Sequence, residues 1–371
     1  MKHKIYGRTG ERVSILGFGG MRFENPSDLE ASADTVLHAF HRGINYFDTA
    51  PIYCDDKSED IMGLAIEEMK KSDRSFYISS KSSHSDGGEL REQLERSLRR
   101  LNVDAIDFYH CWYLSSLNAW ERRKSGGAVR ALQKAKEEGL VRHIVFSTHM
   151  PGEHIRKVIE EDIFEGVLLG YSAMNFLFRE EGIRAATEYD MGVVVMNPLG
   201  GGLIPANAQH FEFLKIDKNQ SVVDAALQFL WSHRDITVTL VGFRNKSDVD
   251  AAVNATEGVT YSSEQIENIK SQIKEDFNKL CTSCMYCREC PEGIEVWKFV
   301  ETANSLYLKS TQKMADRLKY HWMTDIEELD KCTHCKECEE VCTQHLPILE
   351  RFEWLKRKVR EELRAYLRTG K

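Results

Sequence analysis

NYFDTA (45–50), SFYISSK (75–81) and AIDFYHCW (105–112) are short apolar runs, each long enough for one buried strand, set apart by longer charged stretches. The rhythm extends outward on both sides. SILGFGG (14–20) precedes them, and HIVFSTH (143–149), GVLLGYS (166–172), GVVVMNPL (192–199) and TVTLVGF (237–243) follow, eight runs in all. Residues 29–42, 59–71, 88–101, 126–139, 153–161, 180–189, 221–232 and 246–256 lie between or after them and carry apolar residues at i, i+3, i+4 spacing, the period of a helix with one buried face. Strand and helix alternating eight times predict a (β/α)8 TIM barrel, whose strands are apolar on both faces because they lie between a core and a ring of helices. The alternative is an open doubly wound sheet. GFGGMRF (17–23) speaks against it, because it lacks the GxGxxG spacing that such a sheet places after its first strand.

Residues 4–18 alternate around a polar turn and predict a β-hairpin ahead of the first barrel strand. Beyond the last run the character changes. SSEQIENIK (262–270) opens with a Ser–x–x–Gln capping box, so residues 263–280 read as a linking helix between a barrel of residues 1–262 and a mainly α-helical region, 281–371. Residues 294–330 read as two helices, and 346–368 as an amphipathic helix with Leu346, Leu349, Phe352, Leu355, Val359, Leu363 and Tyr366 on one stripe. With 371 residues, 42% hydrophobic content and a net charge of −8, the chain has material for a large core and no basic surface for nucleic acid. It lacks an apolar run long enough for a membrane helix, and MKHKIYGRTGERVS (1–14) lacks the apolar run of a secretory signal, so a cytoplasmic location is expected.

Eight of the ten cysteines stand in two closely stepped runs, CTSCMYCRECPEG (281–293) and CTHCKECEEVCTQHLPI (332–348), offset from each other by 51 residues. Steps of this size let several thiolates converge from one tight loop. Structural zinc also takes cysteines in CxxC pairs, and disulfides are the third alternative, although nothing here suggests a secreted protein. The runs resemble the paired-cluster arrangement of bacterial-type ferredoxins. That resemblance implies two 4Fe–4S clusters, one held by Cys281, Cys284, Cys287 and Cys342, the other by Cys332, Cys335, Cys338 and Cys290. It departs from the pattern where the first run closes with two intervening residues and where Thr343, not proline, follows Cys342.

In a barrel, chemistry belongs at the C-terminal ends of the strands. Asp48 and, just beyond it, Tyr53 lie at the second end, Lys81 at the third and His110 at the fourth. A phenol titrates near pH 10, and a neighbouring ammonium favours its anion. A carboxylate can hold that ammonium, and a histidine can orient a carbonyl. The four residues, with GINYFDTAPIY (43–53), NPLGGGL (197–203) and LVGF (240–243), resemble the tetrad and flanking text of the aldo/keto reductases. The cysteine tail extends the likeness to the branch with a C-terminal ferredoxin-like domain.

The resemblance implies Tyr53 as general acid/base, Lys81 as tuner of its pKa, Asp48 as partner of Lys81 and His110 as carbonyl orienter. It also implies a nicotinamide dinucleotide across the barrel mouth. Ser147 and Thr148 would meet the carboxamide, as would Tyr171 through its hydroxyl, with Met196 against the ring. Pro198, Leu199 and Gly200 would line the pyrophosphate path, and Gly242, Phe243, Arg244 and Lys246 would meet the adenosine end. The cations Arg244 and Lys246 favour NADP(H), whereas Asp248, at a position where family members carry Arg or Gln, leaves NAD(H) open.

The loop after His110, with Trp112, Tyr113 and Trp120, would wall the substrate, a small carbonyl compound or its alcohol. Cys54 and Cys111 read as buried small residues. A hydride carrier moves electrons in pairs and a cluster moves them singly. The clusters are therefore expected to be structural or redox-sensing, or else to relay electrons to an external partner protein. A barrel serving only as a scaffold for electron transfer is the remaining alternative. No nucleic-acid or membrane partner is expected.

Overall fold

Each of the eight runs forms a strand. After a two-stranded antiparallel hairpin of β1 (His3–Ile5) and β2 (Arg12–Ser14), the barrel is built from β3 (Leu16–Gly19), β4 (Tyr46–Asp48), β5 (Tyr77–Ser82), β6 (Ile106–Leu114), β7 (Val141–Thr148), β8 (Gly166–Gly170), β9 (Gly192–Met196) and β10 (Val238–Gly242). Consecutive strands pair in parallel, and β10 closes on β3. Among the described residues, nine helices surround this barrel: α1 (Leu29–His41), α2 (Ser58–Met69), α3 (Gly87–Leu101), α4 (Leu117–Ser125), α5 (Ala128–Glu137), α6 (Gly152–Ile159), α7 (Glu180–Glu188), α8 (Val222–Ser232) and α9 (Lys246–Ala255). Several open as capped helices should. Asp28, Asp86, Ser116, Ser221 and Asn245 each accept a first-turn backbone N–H.

The structure, a computed structural model, describes residues 1–174, 178–273, 275–308 and 312–369. The chain divides into two compact units, one of Met1–Leu199 with Phe213–Ser271, the other of Gly200–Glu212 with Gln272–Lys371. In the first, the barrel floor is aromatic. Tyr6 reaches in from the hairpin and lies 4.3 Å from Phe108 and 6.2 Å from Tyr46, centroid to centroid. Gly166 and Gly192 begin their strands beneath that ring, and a Cβ on either would fall within 2.5 Å of it. Glycine at these two positions is what admits the plug.

The helix Ser263–Gln272 starts on the predicted capping box: Ser262 Oγ accepts from Gln265 N at 3.2 Å and Gln265 Oε1 from Ser262 N at 2.8 Å.

The second unit has its own core, in which Ile294, Val296, Phe299, Leu329, Phe352, Leu355 and Val359 pack with Cys281. Here the sequence reading needs correction. In place of two helices, residues 294–330 form the helices Val296–Thr302, Ser305–Leu308 and Met314–Asp316, a wide turn at Arg317–His321 and a tight one at Ile326–Lys331. The last helix, Ile348–Thr369, buries only the first part of its stripe, and Leu363 and Tyr366 are exposed. Among the described residues no helix is long and apolar enough to cross a membrane.

Candidate active site and cysteine centre

Strand period and register bring the barrel constellation together. Lys81 pairs in register with His110, and Asp48 with Ser79, so residues two apart on β5 face the same interior. The Lys81 ammonium, fully buried, donates to both oxygens of Asp48 at 2.9 and 2.7 Å and lies 3.4 Å from the Tyr53 hydroxyl. It also sits 4.9 Å above the Tyr53 ring. All four residues are in one place.

Tyr53 is held there by an unusual turn. Cys54, Asp55 and Asp56 adopt left-handed backbone, with φ of 57°, 52° and 63°, a run that costs L-residues roughly 1–2 kcal/mol each. The helices fix it. Arg100 of α3 donates to Asp56 at 2.6 Å and to Asp60 of α2 at 2.8 and 2.7 Å, and Arg96 also binds Asp56. Behind them the buried Glu59 accepts from Ser80 at 2.7 Å, with Arg100 3.5 Å from its other oxygen. Arg100→Ala is therefore expected to destabilise the protein by about 2 kcal/mol in urea unfolding, through freed carboxylates and an unneutralised buried Glu59.

The electrostatics set protonation states. Burial, then the Asp48 charge, pushes the Tyr53 phenol well above its ordinary range. Although the residue is half-exposed overall, its hydroxyl reaches in to the fully buried Lys81, and it is the oxygen that titrates. Burial pulls the Lys81 ammonium down while Asp48 holds it up. Burial and Lys81 keep His110 far below the usual histidine range. The resting site is a neutral phenol and a neutral imidazole beside an ion pair. The sequence reading foresaw an easily ionised phenol, but it could not weigh burial against the ammonium.

One residue here went unread. Ser79, wholly buried, lies 2.9 Å from Asp48 Oδ1 and 2.9 Å from His110 Nε2. Of the aromatic wall, Trp112 packs edge-on to Tyr53 at 6.1 Å. Trp120 does not join it, being buried on α4 with its indole N–H donated to Glu161 at 2.6 Å.

The predicted nucleotide contacts are of mixed character. Ser147, at the end of β7, has a buried hydroxyl with no partner among the described residues, as a site for a carboxamide would. Thr148 instead spends its hydroxyl on the carbonyl of Leu114 at 2.8 Å and the N–H of Met150 at 3.0 Å. Tyr171 gives its hydroxyl to Glu180 at 2.6 Å, and Glu180 also accepts from Lys270 at 2.6 Å. Met196 is half-buried at the end of β9, Pro198 is buried and Leu199 half-buried, while Gly200 belongs to the second unit. Gly242, the last residue of β10, is exposed and Phe243 after it is buried. Arg244 is bound by Asp248 at 2.9 and 3.1 Å, and Lys246 by Asp34. Both cations that would meet a 2′-phosphate thus have carboxylate partners.

In the second unit the cysteines fall into two sets. The Cys281 thiol feels the charges of Cys284, Cys342 and Cys287, and the Cys338 thiol those of Cys332, Cys335 and Cys290. Burial first pushes Cys287 and Cys338 up to about 12, helped at Cys287 by Cys284 and Cys342 and at Cys338 by the Glu339 carboxylate and then by Cys332, Cys335 and Cys290. A thiol group so crowded sheds its protons only to a strongly positive centre.

The two loops repeat each other in backbone as well. Ser283 and Met285 are left-handed in one, His334 and Lys336 in the other, at the 51-residue offset of the cysteines. Thr343, in the place of a proline, sets its hydroxyl 3.3 Å from Cys284 Sγ. Among the described residues no three His, Cys, Asp or Glu side chains gather closely enough for a single metal ion. The Cys335 residue is exposed whereas Cys281 is buried.

Each of the two parts matches a known family. Residues 15–274 match the model of the aldo/keto reductase family, and residues 280–346 that of a 4Fe–4S dicluster domain. The chain is 26% identical over 305 residues to L-galactose dehydrogenase of Arabidopsis thaliana, covering 72% of this chain and 93% of that protein. It is 27% identical over 233 residues to the NADH-specific methylglyoxal reductase of Escherichia coli, covering 55% of this chain and 69% of that one. In fold it is similar to the holo form of an aldo-keto reductase from Bacillus halodurans, with a TM-score of 0.62 at 22% identity over 75% of this chain and 99% of that one.

Proposed function

The chain belongs to the aldo/keto reductase family of oxidoreductases and carries a 4Fe–4S dicluster domain, and from that premise we propose that it interconverts a small carbonyl compound and its alcohol, with Tyr53 as general acid/base and NADP(H) as its nicotinamide cofactor. The observation that carries this reading is the unbroken line of contacts from Asp48 through Lys81 to the Tyr53 hydroxyl. A nicotinamide held near Ser147 would supply or accept the hydride. In reduction, the Tyr53 phenol, protonated because it is buried, gives its proton to the carbonyl oxygen. Lys81 stabilises the phenolate left behind, and Asp48 keeps Lys81 charged and in place. Neutral His110 orients the substrate. The test is turnover of a panel of aldehydes, ketones and keto-sugars with NADPH and with NADH, alongside iron analysis of anaerobically purified protein.

The nucleotide preference follows from the pair after β10. With Arg244 bound to Asp248, a 2′-phosphate must displace a carboxylate, so NADPH is favoured weakly and NADH is accepted. Asp248→Ala is expected to raise the kcat/KM ratio of NADPH over NADH about fivefold. A ratio that falls or stays level would remove Arg244 from the phosphate site.

The donor sets suit two 4Fe–4S clusters, because each gathers four cysteines at the close steps that such clusters take. Their role here is to hold the second unit together. A relay of single electrons to an external redox protein is the second reading, and the exposure of Cys335 favours it. A cluster potential unmoved by substrate and cofactor would count against the relay.

A further inference from the structure

We infer that Thr343 tunes the reduction potential of one of the two clusters: its hydroxyl donates a hydrogen bond to the Cys284 sulfur and makes that centre easier to reduce. The inference rests on the reading of Cys281, Cys284, Cys287 and Cys342 as one ligand set. Thr343 is only 3% exposed, and its Oγ lies 3.3 Å from Cys284 Sγ. A cysteine bound to iron is a thiolate with no proton of its own, so it can only accept, and the hydroxyl is the donor at this contact. Gln344 Nε2 donates to the same oxygen at 3.3 Å, which agrees with a hydroxyl whose own proton is turned toward the sulfur.

A one-electron reduction adds a negative charge that the thiolates share. A donor bound to one of them therefore stabilises the reduced state more than the oxidised one. Burial strengthens the effect, because little water is present to screen it. The backbone N–H of Leu346 donates to Cys342 Sγ of the same set at 3.4 Å, so the segment after Cys342 aims two donors at one set. The corresponding place after Cys290 is Pro291, which has neither a hydroxyl nor an N–H to offer. The two loops repeat each other in backbone, and at this position their sequences part. Thr343 thus sets one cluster apart from the other.

The experiment uses the full-length protein, purified anaerobically with its iron, in redox titrations with dithionite followed by electron paramagnetic resonance. Thr343→Val keeps the branched shape and removes the hydroxyl. At one of the two clusters it is expected to shift the reduction equilibrium about tenfold toward the oxidised form, about 59 mV downward for a one-electron step. The other cluster should keep its midpoint, and Thr343→Ser, which retains the hydroxyl, should restore the wild-type value. Midpoints that both stay level in Thr343→Val at full iron content, that fall together, or that rise would each overturn the inference. Where valine prevents cluster assembly, Thr343→Ala removes the same hydroxyl with less bulk and is held to the same outcomes. Wild-type protein that holds zinc in place of iron sinks the cluster reading, and this inference with it. Two iron clusters with potentials indifferent to Thr343 leave that reading standing and remove only the role of the threonine.

Discussion

Tyr53→Phe is expected to lower kcat for carbonyl reduction by about a thousandfold, with nucleotide binding, iron content and thermal midpoint little changed. The variant removes one oxygen and little else. Phenylalanine keeps the ring that packs edge-on to Trp112 at 6.1 Å and lies beneath the Lys81 ammonium at 4.9 Å. The ion pair of Lys81 and Asp48, at 2.7 and 2.9 Å, does not depend on the hydroxyl. The loss therefore reports proton transfer alone. Lys81→Met would be a poorer probe, because it strands a buried carboxylate at a cost of about 3–5 kcal/mol and confuses chemistry with folding. The thousandfold figure also separates the readings: a scaffold barrel would show no nicotinamide-dependent rate to lose.

Stripping the iron under anaerobic, reducing conditions is expected to unfold the second unit. Its described core packs around the cysteines, with Cys281 buried among Ile294, Phe299 and Leu346, and its helices before Ile348 are short. Without a positive centre, thiols pushed up by burial and by each other stay protonated, and the two cysteine loops lose the bonds that would cross-link them. Structural metal binding contributes on the order of 10 kcal/mol, as much as the whole stability of a domain. Circular dichroism should lose helical signal, and proteolysis should fall within Gln272–Lys371. An apoprotein with unchanged helix content and protease resistance would show that the clusters hold nothing together. Carbonyl reduction that survives in the stripped protein would place the clusters outside the hydride chemistry.

Much of this was written in the order of the residues. Eight apolar runs predicted eight strands, because burial between a core and a helical ring leaves a mark on every residue of a strand. That Asp48, Lys81 and His110 come together was legible, because alternate residues at neighbouring strand ends point into one barrel mouth. The 4Fe–4S dicluster domain was legible because the spacing of its cysteines is local.

What the sequence could not decide depended on partners distant along the chain or on burial. Ser79 is one small hydroxyl among several in SFYISSK (75–81), and only its register with Asp48 and its reach to His110 separate it from Ser80, which serves Glu59 on the outer face. Trp120 reads as a mouth residue until Glu161 is seen to hold its indole inside α4. The short helices of residues 294–330 carry no helical period, since they are shaped around the cysteine loops and not by a stripe of their own. Composition and spacing thus determined the architecture and the kinds of chemistry at hand. Tertiary packing alone decided which protons are where, because a pKa is set by burial and by neighbours that only the folded chain brings near.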